Sequence, residues 1–100
     1  MIIGYARVST TGQNLDGQCD SLRQAGCERI YSEKISGAKA QRPELERMLD
    51  ALRERDTVVI TELTRLGRSV KELFAIIERV HEAGASIKSL RETWLDTTTP

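Results

Sequence analysis

The feature that most constrains this chain is the rhythm of its apolar residues, in which short β-branched runs alternate with stretches at helical spacing. Residues 2 to 8, Ile-Ile-Gly-Tyr-Ala-Arg-Val, are apolar with little alternation, which marks a strand covered on both faces and so a parallel sheet. After a polar stretch, Asn14 can cap a helix whose inner stripe is Leu15, Cys19 and Leu22, with Gly26 as its stop. Residues 27 to 31 read as a second strand, and residues 36 to 42 as a loop of small and polar residues. Pro43 suits the first turn of a second helix, because its missing N–H would be unpaired there anyway; Leu45, Met48, Leu49 and Leu52 follow at helical spacing. Arg55-Asp56 ends it.

Thr57 to Leu63 reads as a third strand, followed by a turn from Thr64 to Arg68. Ser69-Val70-Lys71-Glu72 fits a capping box, in which the Ser oxygen takes the N3 amide and Glu72 reaches back. Val70, Leu73, Phe74, Ile77 and Val80 form the expected buried stripe, Gly84 closes the helix, and residues 86 to 91 make a fourth strand. Strand and helix alternating at such short intervals predict an α/β fold: an open, mostly parallel four-stranded sheet with helices on both faces. The 100 residues fit one domain, residues 1–100, with enough apolar surface for one core. Thr99-Pro100 reads as a helix start with no helix after it, so a helix is expected to have been cut off.

Composition excludes several function classes. The longest aliphatic run is Val58-Val59-Ile60, far short of the roughly 20 residues that cross a bilayer, and the N-terminus lacks a signal peptide's regions. A cytoplasmic protein without a membrane partner is the expectation. Acidic and basic groups balance at 15 each, and no basic tail is present, so this chain alone should hold DNA weakly. Cys19 and Cys27 lack zinc or redox spacing and read as small buried hydrophobes. No phosphate loop, dinucleotide turn or zinc helix occurs, and His81 late in a helix leaves a Ser-His-Asp site unsupported.

Ligands of open α/β sheets bind beyond the carboxyl ends of the strands, where helix N-termini and loops converge. Arg7 and Ser9 lie at the end of the first strand, and Arg65 and Arg68 between the third strand and its capped helix. Adjacent parallel strands bring these groups together, and three guanidiniums around one hydroxyl, beside a helix N-terminus, suit a phosphate oxygen better than a neutral ligand. Plainer readings exist for each: Arg7 can pair with Glu62 or Glu33, Ser9 can simply end a strand, and Arg65 and Arg68 can be solvated. Tyr5 reads as a core aromatic with its hydroxyl at the rim.

Taken together, Tyr5-Ala6-Arg7-Val8-Ser9-Thr10, Ser36-Gly37 with Arg42, and Arg65-Leu66-Gly67-Arg68-Ser69 resemble the catalytic domain of the serine recombinases, the resolvases and DNA invertases. The resemblance spans essentially the whole chain, and Gln13, Asp16 and Gln18 look like that family's first helix. It implies site-specific DNA cleavage and rejoining through a covalent 5′-phosphoserine, without metal or nucleotide cofactor. Ser9 would be the nucleophile, and Arg7, Arg65 and Arg68 would contact the scissile phosphate and stabilise its charge in the transition state. Tyr5, Gln18, Ser36 and Arg42 would support them.

The sequence departs from the family in having Thr64 where an Asp is usual; if that Asp orients an arginine, Thr64 or Glu62 is expected to substitute, and if it moves protons, reduced activity is expected. The family also continues into a long oligomerisation helix and a DNA-binding domain, and acts as dimers that pair into a tetramer on DNA. The 100-residue chain is therefore expected to be monomeric and unable to recombine DNA alone. A nonenzymatic α/β interaction module and a small phosphatase using the same anion pocket are the alternatives, since a fold does not fix a function.

Overall fold

A computed structural model describes residues 1–8, 15–34, 42–67 and 69–93. The elements run β1 (Ile2–Val8), α1 (Leu15–Gln24), β2 (Arg29–Lys34), α2 (Pro43–Ala51), β3 (Thr57–Ile60), α3 (Leu63–Leu66), α4 (Val70–Glu82) and β4 (Ser86–Ser89). All pairings are parallel and the sheet order is β2-β1-β3-β4, so β1 lies between β2 and β3 and their carboxyl ends open onto one edge.

Alternation along the strands divides the core in two, as an α/β sheet with helices on both faces requires. Ile3, Tyr5, Tyr31, Val58, Ile60 and Ile87 turn to α2, α3 and α4, where Leu45, Met48, Leu49, Leu66, Ile76 and Val80 meet them. Ala6 and Val59 turn to α1 and pack with Leu22, joined by the half-buried Leu15, Cys19 and Cys27. Burying each large aliphatic side chain contributes about 1.5–3 kcal/mol. Burial pushes the Cys27 thiol up to about 11, and it pushes Cys19 up as well, so both thiols stay protonated at neutral pH.

Several boundaries differ from the sequence reading. The second strand lies at Arg29–Lys34 rather than 27 to 31, because the polar run Ser32-Glu33-Lys34 continues the ladder and the Glu33 side chain is satisfied inside. The third strand stops at Ile60, and the expected turn contains the short helix α3. Helix α2 ends at Ala51, leaving Leu52 as its extended C-cap, and β4 ends at Ser89 rather than 91.

The stripe of α4 also differs. Ile76 and Val80 are buried with Leu73 and Ile77 beside them, whereas Val70 and Phe74 are 69% and 65% exposed. The 13 residues of α4 face strands of only 4 residues each. At about 1.5 Å per helical and 3.3 Å per strand residue, the first turns of α4 overhang the sheet.

The two glycine helix stops read from the sequence hold, whereas α2 ends at Ala51, before the expected stop at Arg55-Asp56. Gly26 and Gly84 take φ of +95° and +78°, and in each case the next residue donates back across the last turn, Cys27 N to Leu22 O and Ala85 N to Val80 O, both at 3.1 Å. Asn14, residues 36 to 41 and Thr99-Pro100 lie outside the described residues.

Candidate active site

The carboxyl ends of β1, β2 and β3 meet the starts of α2, α3 and α4, and four arginines gather around that edge. Arg7, on the second-last residue of β1, faces the α2 side of the sheet with Tyr5. Its Nε donates to the Arg65 carbonyl at 3.2 Å and its Nη2 to the Thr64 carbonyl. The first strand therefore grips the main chain of α3 directly. Gln18 of α1 donates from Nε2 to the Arg7 carbonyl at 3.2 Å and fixes the same strand end from the other face.

Beneath this grip lies a buried polar network. The Tyr5 hydroxyl, fully enclosed rather than at the rim, donates to Glu33 Oε2 at 2.6 Å and accepts from Arg42 Nη2 at 3.0 Å and Nε at 3.2 Å. Arg42 is 9% exposed although the sequence places it in a polar loop. Its guanidinium stacks 5.4 Å from the centre of the Tyr5 ring, pairs with Glu72, and donates from Nη2 to the Arg65 carbonyl at 2.9 Å. Glu72 thus leaves the capping box half made: Ser69 Oγ accepts the Glu72 amide at 3.1 Å, but the Glu72 carboxylate goes to Arg42.

Glu33 completes the network. Helix α2 has no side-chain cap of its own, and Glu33 supplies one from β2 by accepting the Glu44 and Leu45 amides, each at 3.1 Å. A carboxylate there satisfies orphan amides and meets the positive end of the helix dipole. Burial and then the Glu33 hydrogen bond push the Tyr5 phenol far up, so it stays protonated and donating.

The Arg65 side chain is held separately. Its Nε lies 3.1 Å from Glu62 Oε1, and Glu62 Oε2 accepts from Arg91 Nη1 at 2.8 Å. Burial pushes the Glu62 carboxyl up, but hydrogen bonds from Arg91 and Thr64 and the charges of Arg65 and Arg91 outweigh it and hold the group below the usual carboxylate range. Glu92 caps α3 by accepting the Leu63 amide at 2.7 Å and the Ser89 hydroxyl at 2.8 Å.

Gly67 explains its own place in the Arg-Leu-Gly-Arg motif. A Cβ there would lie 2.9 Å from the Leu73 Cα and 3.0 Å from the Leu73 nitrogen, so a side chain would push α3 off the first turn of α4. Gly67→Ala is expected to cost about 1–3 kcal/mol, the usual penalty for overpacking a contact that cannot yield. Urea unfolding of the two chains measures it, and an unchanged midpoint would contradict so close an approach.

Of the residues singled out from the sequence, Arg7, Arg65, Arg42, Tyr5 and Gln18 come together. Ser9, Arg68 and Ser36 lie outside the described residues. Of the two acids the sequence offered as plain partners for Arg7, Glu33 takes Tyr5 and the α2 amides, and Glu62 takes Arg65 and Arg91. Sequence reasoning offered Glu62 as a residue that could orient an arginine, gave Glu33 no active role, and missed Glu72, Arg91 and Glu92, whose partners are distant in the chain. Only the capping pattern at Ser69 drew attention to Glu72. Among the described residues no group of His, Cys, Asp and Glu is placed to hold a metal ion. The arrangement suits an anion at the carboxyl ends of β1 and β3, beside the segment that begins with Ser9.

Comparison with known proteins agrees with that geometry. Residues 2–100 match the family model "Resolvase, N terminal domain". A resolvase of Clostridium perfringens strain 13 is 57% identical over 97% of this chain and 52% of its own length. The serine recombinase gin of Escherichia phage Mu is 45% identical over 100% of this chain and 51% of its own. The chain thus spans about half the length of the curated relatives it matches. Among solved structures, the C-terminal catalytic domain of ISC1926 TnpA, an IS607-like serine recombinase, superposes with a TM-score of 0.76 at 26% identity, covering 89% of this chain and 66% of that one.

Proposed function

The chain belongs to the resolvase family of serine recombinases, and from that membership we propose that it is the catalytic domain of a site-specific DNA recombinase. The observation that carries the reading is the meeting of Arg7, at the end of β1, with the main chain of Arg65 in α3, just beyond the adjacent parallel strand β3, with Ser9 directly after β1 in the chain. In this reading the Ser9 hydroxyl oxygen attacks a backbone phosphorus. A P–O bond to the 3′ oxygen breaks, the 3′ oxygen leaves as a hydroxyl after taking up a proton, and the 5′ phosphate stays esterified to Ser9. Rejoining reverses these steps with a new 3′ hydroxyl.

Arg7, Arg65 and Arg68 serve the charge that spreads over the nonbridging oxygens as phosphorus becomes five-coordinate, where fixed donors contribute most. Arg42, Tyr5 and Gln18 act one step back by holding β1 and α3, and Ser36 belongs to the same supporting set. DNA is the substrate, and dimers pairing into a tetramer on two sites are the acting assembly. With no excess of basic over acidic groups, the chain relies on other parts of the protein for affinity.

The test joins the chain to the second half of the Clostridium perfringens resolvase and offers a nicked duplex bearing that resolvase's site, which traps cleaved strands. Mass spectrometry is expected to find DNA esterified to Ser9. A chimera that folds and binds the duplex but carries no adduct, or carries one on another residue, contradicts the proposal.

A further inference from the structure

We infer that Glu62 is the positioning residue of Arg65, fixing its guanidinium toward the scissile phosphate while other groups fix its backbone. The inference rests on the recombinase reading only for what the positioned arginine does.

Two separate sets of contacts hold Arg65. Its carbonyl is held by Arg7 Nε at 3.2 Å and Arg42 Nη2 at 2.9 Å, and the preceding carbonyl by Arg7 Nη2. Its side chain is ion-paired with Glu62, Nε lying 3.1 Å from Oε1 outside hydrogen-bond alignment. Loss of the Glu62 charge should therefore loosen the guanidinium and leave the main chain of α3 in place.

Glu62 is itself immobilised. It is the extended N-cap of α3, whose first amide is tied to Glu92 at 2.7 Å, and its second oxygen is held by Arg91 at 2.8 Å. The Arg91 main chain is anchored by its own amide, which donates to the Thr61 carbonyl at 2.9 Å and extends the β3–β4 pairing, while its side chain reaches Glu62 from the surface. One Glu62 carboxylate is shared by Arg65 and Arg91, so it offsets neither guanidinium fully. Arg65 is thus oriented without being neutralised, as an anion site requires. Ordering a long side chain before the substrate arrives removes that cost from the chemical step.

The test follows the mobility of the Arg65 guanidinium by nitrogen-15 relaxation at Nε in the 100-residue chain, with Arg65→Lys to assign the signal. Glu62→Gln is expected to lower the Nε order parameter from about 0.8 to below about 0.6 while the backbone amides of β1 and β3 stay ordered. Glu62→Gln with Thr64→Asp should restore the order, since the Thr64 side chain already reaches Glu62. An unchanged order parameter in Glu62→Gln, or a fall only where β1 and β3 also loosen, overturns the inference.

In the chimera, Glu62→Gln is expected to lower the single-turnover cleavage rate about tenfold with DNA affinity unchanged, and Thr64→Asp to recover it. Equal cleavage rates for wild type and Glu62→Gln also overturn the inference. If Arg65 responds as expected while no chimera cleaves, the positioning by Glu62 stands and the recombinase reading falls.

Discussion

Ser9→Ala is expected to abolish covalent attachment of DNA, with the cleavage rate of the chimera down roughly a millionfold, the order found when a serine nucleophile is removed. The magnitude separates two roles. An arginine that only stabilises charge contributes about a hundred- to thousandfold, and the remaining arginines cover part of its loss. A nucleophile has no such cover, because the phosphoester bond it forms has no other donor. The substitution removes one hydroxyl, so melting temperature and duplex binding should match the wild type. Residual cleavage within a thousandfold of wild type would assign the attack to another group and reduce Ser9 to a contact residue.

The second large effect concerns stability. Glu33→Ala is expected to cost about 3–5 kcal/mol, the range for breaking a buried charged network from one side. Glu33 is 6% exposed and accepts from the Tyr5 hydroxyl and from the amides of Glu44 and Leu45. Removing it leaves these donors buried without an acceptor, at about 1–3 kcal/mol each before relaxation. Arg42 keeps Glu72 but loses its anchored Tyr5 partner, so the contact to the Arg65 carbonyl weakens as well.

With about 4–8 °C per kcal/mol for a domain of this size, the melting temperature should fall by about 12 °C or more. That loss is a large share of the roughly 5–15 kcal/mol that hold a domain together. A fall of only a few degrees would mean that water reaches the freed donors and that the network tunes the site without holding the fold.

Much of this was legible in the residues themselves. The unalternating run at the first strand, Pro43 at a helix start, the Ser69 cap and the stops at Gly26 and Gly84 are local statements about backbone and side chain. They hold because a missing N–H, an aimed hydroxyl or a left-handed φ depends on few neighbours. The polar end of β2 was not legible. Ser32-Glu33-Lys34 looks like a solvated turn until Tyr5 and the α2 amides stand opposite Glu33. The exposure of Val70 and Phe74 was hidden for another reason: periodicity marks a face of a helix but says nothing of how far the sheet beneath it extends.

The sequence by itself therefore determined the alternation of strands and helices, the glycine helix stops, and the Arg7, Ser9, Arg65 and Arg68 set that carries the family resemblance. The first two are encoded by residues within a turn or two of one another, and the third by short motifs that are each local to one strand end. Only the tertiary structure decided which charges meet: Arg42 with Tyr5 and Glu72, Glu33 with the start of α2, and Glu62 with both Arg65 and Arg91. Several of these partners lie about 30 residues apart. An ion pair forms where the fold brings opposite charges within a few ångströms and removes the water between them, and sequence spacing carries no record of either distance or desolvation.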